Sequence, residues 1–217
     1  MHLNTTIDHT LLKPDATVEQ IDRLCAEARE HAFASVCVLP WYVERAAAML
    51  ADTPVATCTV IGFPLGGTFT QTKVAEAMLA MDRGATELDM VINISALKSG
   101  EIDVVEADIA AVVSAVHGRK GIVKVIIETS LLTDAEKVGM CHVVTRIRAD
   151  YIKTSTGFST GGATLDDVRL LRANVGADVR VKASGGIRDR ATAEAMLEAG
   201  ASRLGTSAGV SIVRERH

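Results

Sequence analysis

An α/β fold, and within that class a single-domain (β/α)8 TIM barrel over residues 1–217, is what the sequence predicts, on three observations. Eight short β-branched runs alternate with amphipathic helical stretches from one end of the chain to the other. The expected strand ends recur at a fairly even spacing, at about Thr10, Leu39, Gly62, Ile92, Glu128, Thr154, Ala183 and Gly205. No GxGxxG follows the first strand, which the alternative of an open doubly wound sheet with a dinucleotide site would need.

The strands are read in order as TTID, ASVCVL, VATCTVIGF, TELDMVIN, GIVKVIIE, ADYIKTS, DVRVKAS and SRLGTS. Between the first two, Val18, Ile21, Leu24, Cys25 and Ala28 form a stripe at helical spacing; between the fourth and fifth, Ile102, Val105, Ile109, Val112 and Val116 form another. Thr17 with Gln20, and Thr133 with Glu136, have the spacing of capping boxes that start helices. Gly84, Gly176 and Gly200 stand where helices should stop, each shortly before the next strand. Pro40 opens a helix, and Trp41 and Tyr42 behind it read as packing residues.

Composition agrees with a compact barrel. Of 217 residues 48% are hydrophobic but only 3% aromatic, with 31 alanines and 24 valines, which suits helices packed closely on strands. The net charge of −4 and the lack of any basic run argue against a nucleic-acid partner. No signal-peptide core or apolar span of ~18 residues is present, so neither membrane association nor export is expected and the cytoplasm is the default. The four cysteines (Cys25, Cys37, Cys58, Cys141) are scattered in apolar segments without a CxxC pair, and the six histidines show no HxH or HExxH spacing. No metal and no cofactor is expected. Cys37 reads as core, because no His or acid stands near it in sequence.

In a barrel the chemistry sits where strands end. Lys153 lies in the apolar sixth strand and Lys182 in the seventh, 29 residues later, about one strand–helix unit. Parallel neighbours lie roughly 5 Å apart, so the two amines can meet. A lysine that attacks a carbonyl must be neutral, and a second ammonium beside it favours that form, which marks Lys153 as a candidate Schiff-base nucleophile. Blunting of a sheet edge, the bland role for such a lysine, has no place in a closed barrel. Lys124 is a third lysine in an apolar strand, although only eight lysines stand against fifteen arginines. Asp89, with Glu87 on the same face of the fourth strand, is a candidate proton relay; pairing with these lysines would give the same pattern. Asp8, His9 and Thr10 end the first strand, where a satisfied turn and a substrate contact are equally good readings. Glycine-rich turns follow the last three strands, STGFSTGG, SGG and GTSAG, and the last two occupy the usual phosphate-binding loops of barrels. These residues alone leave open another Schiff-base aldolase, for a ketose phosphate or a keto acid, and a phosphate-binding barrel without catalysis.

The segments IDHTLLKP, VCVLP, VIGFPLG, ELDMVINI, KVIIET, YIKTSTGFSTGGAT, VKASGGIR and GTSAG closely resemble those of the deoxyribose-phosphate aldolase family, in order from Ile7 to Gly209. The resemblance implies a metal-free class I aldolase. It would reversibly cleave 2-deoxy-D-ribose 5-phosphate to D-glyceraldehyde 3-phosphate and acetaldehyde in deoxynucleoside breakdown. It implies Lys153 as the Schiff-base lysine, Lys182 as the second lysine that perturbs the first and moves protons, and Asp89 as proton donor and acceptor. Gly157, Gly185, Gly186 and Ser207 fall where the family holds the phosphate, Thr156 falls near the sugar hydroxyls, and a homodimer is implied. The sequence ends at His217 without the C-terminal tail that some members carry, so water is expected to serve in its place.

Overall fold

The computed structural model describes residues 2–215, so the chain end at His217 lies outside the described residues. Eight parallel strands close in sequential order into a barrel: β1 (Ile7–Leu11), β2 (Ser35–Val38), β3 (Ala56–Ile61), β4 (Glu87–Val91), β5 (Ile122–Ile126), β6 (Tyr151–Lys153), β7 (Arg180–Ser184) and β8 (Arg203–Thr206), with β8 pairing back onto β1. Around it run nine helices among the described residues: α1 (Val18–His31), α2 (Val43–Leu50), α3 (Thr70–Asp82), α4 (Ile94–Lys98), α5 (Ile102–His117), α6 (Asp134–Ile147), α7 (Leu165–Asn174), α8 (Arg190–Glu198) and α9 (Gly209–Arg214).

Local signals account for the helix ends. Thr17 and Thr133 accept from the backbone N–H of Gln20 and Glu136, whose side chains accept from the cap N–H in return, so both capping boxes form. Helices α3, α7 and α8 stop two residues before Gly84, Gly176 and Gly200. The predicted strand ends fall within two residues of the observed ones, but the first run starts late: Leu3–Thr6 is a 3-10 turn, and the strand begins at Ile7. Trp41 corrects its reading as a packing residue. It stands 85% exposed on a 3-10 turn (Pro40–Tyr42), whereas Tyr42 is half-buried and donates its hydroxyl to the Ala16 carbonyl at 2.5 Å.

The apolar core lies outside the barrel wall, not within it. Val36, Leu88, Met90, Val123, Val125, Ile152, Val181 and Leu204 alternate along the strands and pack with Ile21, Ile109, Val112, Val144 and Leu171 of the helices. Inside the barrel, alternation places Asp8, Glu87, Asp89, Lys124, Lys153, Lys182 and Arg203 against one another, beside a small cluster of Leu12, Cys37, Cys58 and Val60. Such an interior is ionic where barrels are usually filled by branched aliphatics.

Candidate active site

The barrel register brings the two sequence-matched lysines together. Lys153 of β6 is the direct partner of Lys182 of β7, and Asp89 of β4 that of Lys124 of β5. All three amines converge on one carboxylate: Asp89 Oδ2 accepts from Lys153 Nζ at 2.7 Å and Lys182 Nζ at 2.6 Å, and Oδ1 accepts from Lys124 Nζ at 2.8 Å. Asp89, Lys124 and Lys182 are fully buried, and Lys153 is 3% exposed.

The rest of the network balances these charges. Lys182 has a second carboxylate, Asp8 Oδ2 at 2.5 Å, and Lys124 has Glu87 Oε2 at 2.6 Å. Arg203 closes the ring, donating Nε to Asp8 Oδ1 at 2.7 Å and a terminal nitrogen to Glu87 Oε2 at 2.8 Å. Burial disfavours the charges of Asp8, Asp89, Lys124, Lys182 and Arg203, and in each the opposite charges outweigh it. The Asp8 carboxyl stays below the usual carboxylate range against its burial because of Lys182, Arg203 and Lys124. Burial likewise raises Asp89, yet Lys124, Lys153 and Lys182 hold it well below that range. Burial lowers Lys182, but Asp8 and Asp89 keep it above an ordinary lysine, so at neutral pH Lys182 is a fixed ammonium beside Lys153.

Above this network opens a cavity of about 280 Å³ lined by Lys153, Thr156, Gly157, Gly185, Gly186 and Ser207. It therefore gathers the Schiff-base candidate and all five residues matched to phosphate and sugar binding. The loops after β6 and β7 are clamped together. Ser184 Oγ donates to the Ser155 carbonyl at 2.6 Å, Ala163 N–H donates to the Ser184 carbonyl at 3.0 Å, and Gly162 sits against Gly185 so closely that a Cβ on Gly162 would fall 2.3 Å from the Gly185 oxygen. Gly205 of β8 is likewise needed, since a Cβ there would press on Ser184 Cβ at 2.9 Å and Lys182 Cε at 3.3 Å.

Sequence reasoning missed several residues of this site. Lys13 and Arg188 are exposed cations on the same cavity wall. Both stood in the quoted segments IDHTLLKP and VKASGGIR, where a basic residue just past a strand end was the available signal. Arg203 and the role of Asp8 carried no periodic signal. Glu128, two residues past β5 in the left-handed region (φ 55°), buries its carboxylate against Thr156, accepting from its N–H at 3.2 Å and from its hydroxyl. Cys37 is core by burial, as expected, but it lies with Cys58 and Asp89 within 4.8 Å, a grouping that no spacing announced.

Comparison with known proteins bears on this geometry. A deoxyribose-phosphate aldolase of Brevibacillus brevis is 60% identical over 213 residues, covering 98% of this chain and 96% of its own. One from Geobacillus sp. strain WCH70 is 59% identical over 207 residues, covering 95% and 92%. The solved deoxyribose phosphate aldolase of Aeropyrum pernix, described as tetrameric, superposes with a TM-score of 0.91 at 34% identity, covering 98% of this chain and 89% of that one. A family model for DeoC/LacD family aldolase matches residues 3–217, and with relatives at this identity over nearly its whole length the chain belongs to that aldolase family.

Proposed function

We propose that the chain is one catalytic domain that reversibly cleaves 2-deoxy-D-ribose 5-phosphate to D-glyceraldehyde 3-phosphate and acetaldehyde through a Schiff base on Lys153, in deoxyribose phosphate breakdown in the cytoplasm. The observation that carries this reading is the pair of register-matched amines on one carboxylate at the base of a glycine-walled cavity. Four cations (Lys124, Lys153, Lys182, Arg203) meet three carboxylates (Asp8, Glu87, Asp89), so loss of one proton brings the buried set to neutrality. Among the described residues Lys153 has one carboxylate oxygen and shares it with Lys182, and of the three lysines it is the one that lines the cavity.

Neutral Lys153 attacks C1 of the open-chain aldehyde, and the carbinolamine expels water as Lys182 or Asp89 returns a proton to its hydroxyl. The iminium accepts the electron pair of the C2–C3 bond while the C3 hydroxyl gives up its proton, which releases glyceraldehyde 3-phosphate and leaves a two-carbon enamine. Protonation at C2 and hydrolysis release acetaldehyde and restore the lysine. The phosphate sits among the N–H groups of Gly157, Gly185, Gly186 and Ser207, with Lys13 and Arg188 adding local positive charge.

A coupled assay for glyceraldehyde 3-phosphate tests the assignment directly. Rapid release from deoxyribose 5-phosphate and none from fructose 1,6-bisphosphate is expected; the reverse ranking would assign the lysine to a ketose phosphate aldolase. Lys182→Ala is expected to lower kcat by roughly 10²–10⁴, the range of a positioned acid–base group, with a smaller change in KM. Gly162→Ala, which forces the two clamped loops apart, is expected to raise KM for deoxyribose 5-phosphate several-fold and leave the weaker cleavage of unphosphorylated deoxyribose nearly unchanged. A homodimer belongs to the same reading, supported by the exposed Trp41 and Leu79 on the α2–α3 side; a monomer mass in sedimentation would remove it.

A further inference from the structure

The barrel interior holds two thiols that the aldol chemistry does not use. Cys37 of β2 and Cys58 of β3 are register partners, and both are fully buried. Cys58 Sγ donates to Asp89 Oδ1 at 3.2 Å, and the two sulfurs and an Asp89 oxygen all lie within 4.8 Å of one another. A tetrahedral ion with metal–sulfur bonds of about 2.3 Å and metal–oxygen bonds of about 2.0 Å spaces such ligands roughly 3.5–3.8 Å apart. Cys58 Sγ and Asp89 Oδ1 already stand closer than that, and Lys124 Nζ, which donates to Cys58 Sγ at 3.3 Å, would stabilise a thiolate there.

We propose that Cys37, Cys58 and Asp89 form an inhibitory site for a thiophilic divalent cation of the zinc and cadmium kind. On binding, two S–metal bonds and one O–metal bond form, both thiol protons leave to solvent, and water completes the tetrahedron. Charge selects the ion. With Lys153 neutral, the surrounding network holds three cations against three carboxylates, and a hard dication that left both thiols protonated would add two uncompensated positive charges to it. A thiophilic ion exchanges its two charges for two thiol protons and leaves the sum unchanged, so zinc or cadmium is accepted where magnesium is not.

The geometry also says how binding inhibits. The metal takes Asp89 Oδ1, the oxygen that Lys124 holds at 2.8 Å, and Lys124 retains Glu87 at 2.6 Å. A metal-bound carboxylate is a weaker acceptor for Lys153 and Lys182 on Oδ2, and it no longer exchanges protons with the reacting substrate. Leu12 lines the substrate cavity and packs in one cluster with Cys37 and Cys58, which places the thiols behind the cavity wall.

The inhibitory part rests on the proposed role of Asp89 and Lys153, and the binding part does not. The full-length protein is titrated with cadmium in the absence of substrate, and the ultraviolet thiolate-to-cadmium band is followed. One equivalent is expected to saturate the band, and Cys37→Ala and Cys58→Ala are each expected to lose it. Borohydride trapping of acetaldehyde on Lys153 is then measured with and without cadmium or zinc, each variant against its own metal-free value. A fall of ~100-fold in the unsubstituted protein, the scale of losing a positioned acid–base group, and little change in either variant support the site. Cys37→Ser and Cys58→Ser replace the alanine variants should those fail to fold. A missing band, a band that survives either substitution, trapping unaffected by the metal, or equal inhibition by magnesium overturns it. Failure of the aldolase reading shows instead as absent cleavage by the metal-free protein.

Discussion

Lys153→Ala is expected to abolish cleavage of deoxyribose 5-phosphate, with a fall in kcat on the order of a millionfold, the scale seen when a covalent nucleophile is removed. The loss should be this large because no other group can replace it. Lys182 is the nearest amine, but Asp8 and Asp89 hold it as an ammonium, and it is fully buried below the cavity. Lys124 is likewise fully buried and outside the cavity lining, fixed between Glu87 and Asp89. Treatment with acetaldehyde and borohydride should therefore place an ethyl group on Lys153 in the unsubstituted protein and on no residue in the variant, as read by peptide mass spectrometry. An ethyl group on Lys182 would reverse the roles of the two lysines.

Asp89→Ala is expected to remove activity and destabilise the fold together. Three ammonium groups lose the carboxylate they share, and breaking a buried ion pair by deleting one partner costs about 3–5 kcal/mol. Asp89→Asn keeps the shape but not the charge and should lie between, with turnover lost and a smaller drop in Tm. The pH dependence follows from the direction of the shifts. Asp8 and Asp89 have pKa values lowered by folding, so the stability they contribute is present above the unfolded carboxylate value of about 4 and is lost as the pH falls below it. The acid side of a Tm–pH profile should therefore be steep in the unsubstituted protein and flatter in Asp89→Asn.

Much of this was legible in the sequence because a barrel repeats. Lys153 and Lys182 sit one strand–helix unit apart, and a parallel closed sheet turns that interval into a direct pairing. Asp89 could be read as their partner because an acid between apolar strand residues must find a cation. The helix boundaries at Thr17, Thr133, Gly84 and Gly200 were readable because capping chemistry is local. Trp41 was misread because burial is a property of the whole surface: a proline and two aromatics look alike in sequence whether a helix covers them or not.

The sequence by itself determined the alternation of strands and helices, the lysine pair and the glycine loops, all of which depend on intervals of one repeat or less. Only the tertiary structure decided what surrounds them. Arg203 reaches Asp8 across 195 residues of chain, and Lys182 reaches Asp89 across 93. Those contacts exist because β8 closes on β1 and the interior faces of non-adjacent strands meet across the barrel. The same closure turns Cys37 and Cys58 toward Asp89. Closure brings together residues that share no periodicity, so no pattern along the chain could announce the balance of buried charge around Asp89 and the three lysines.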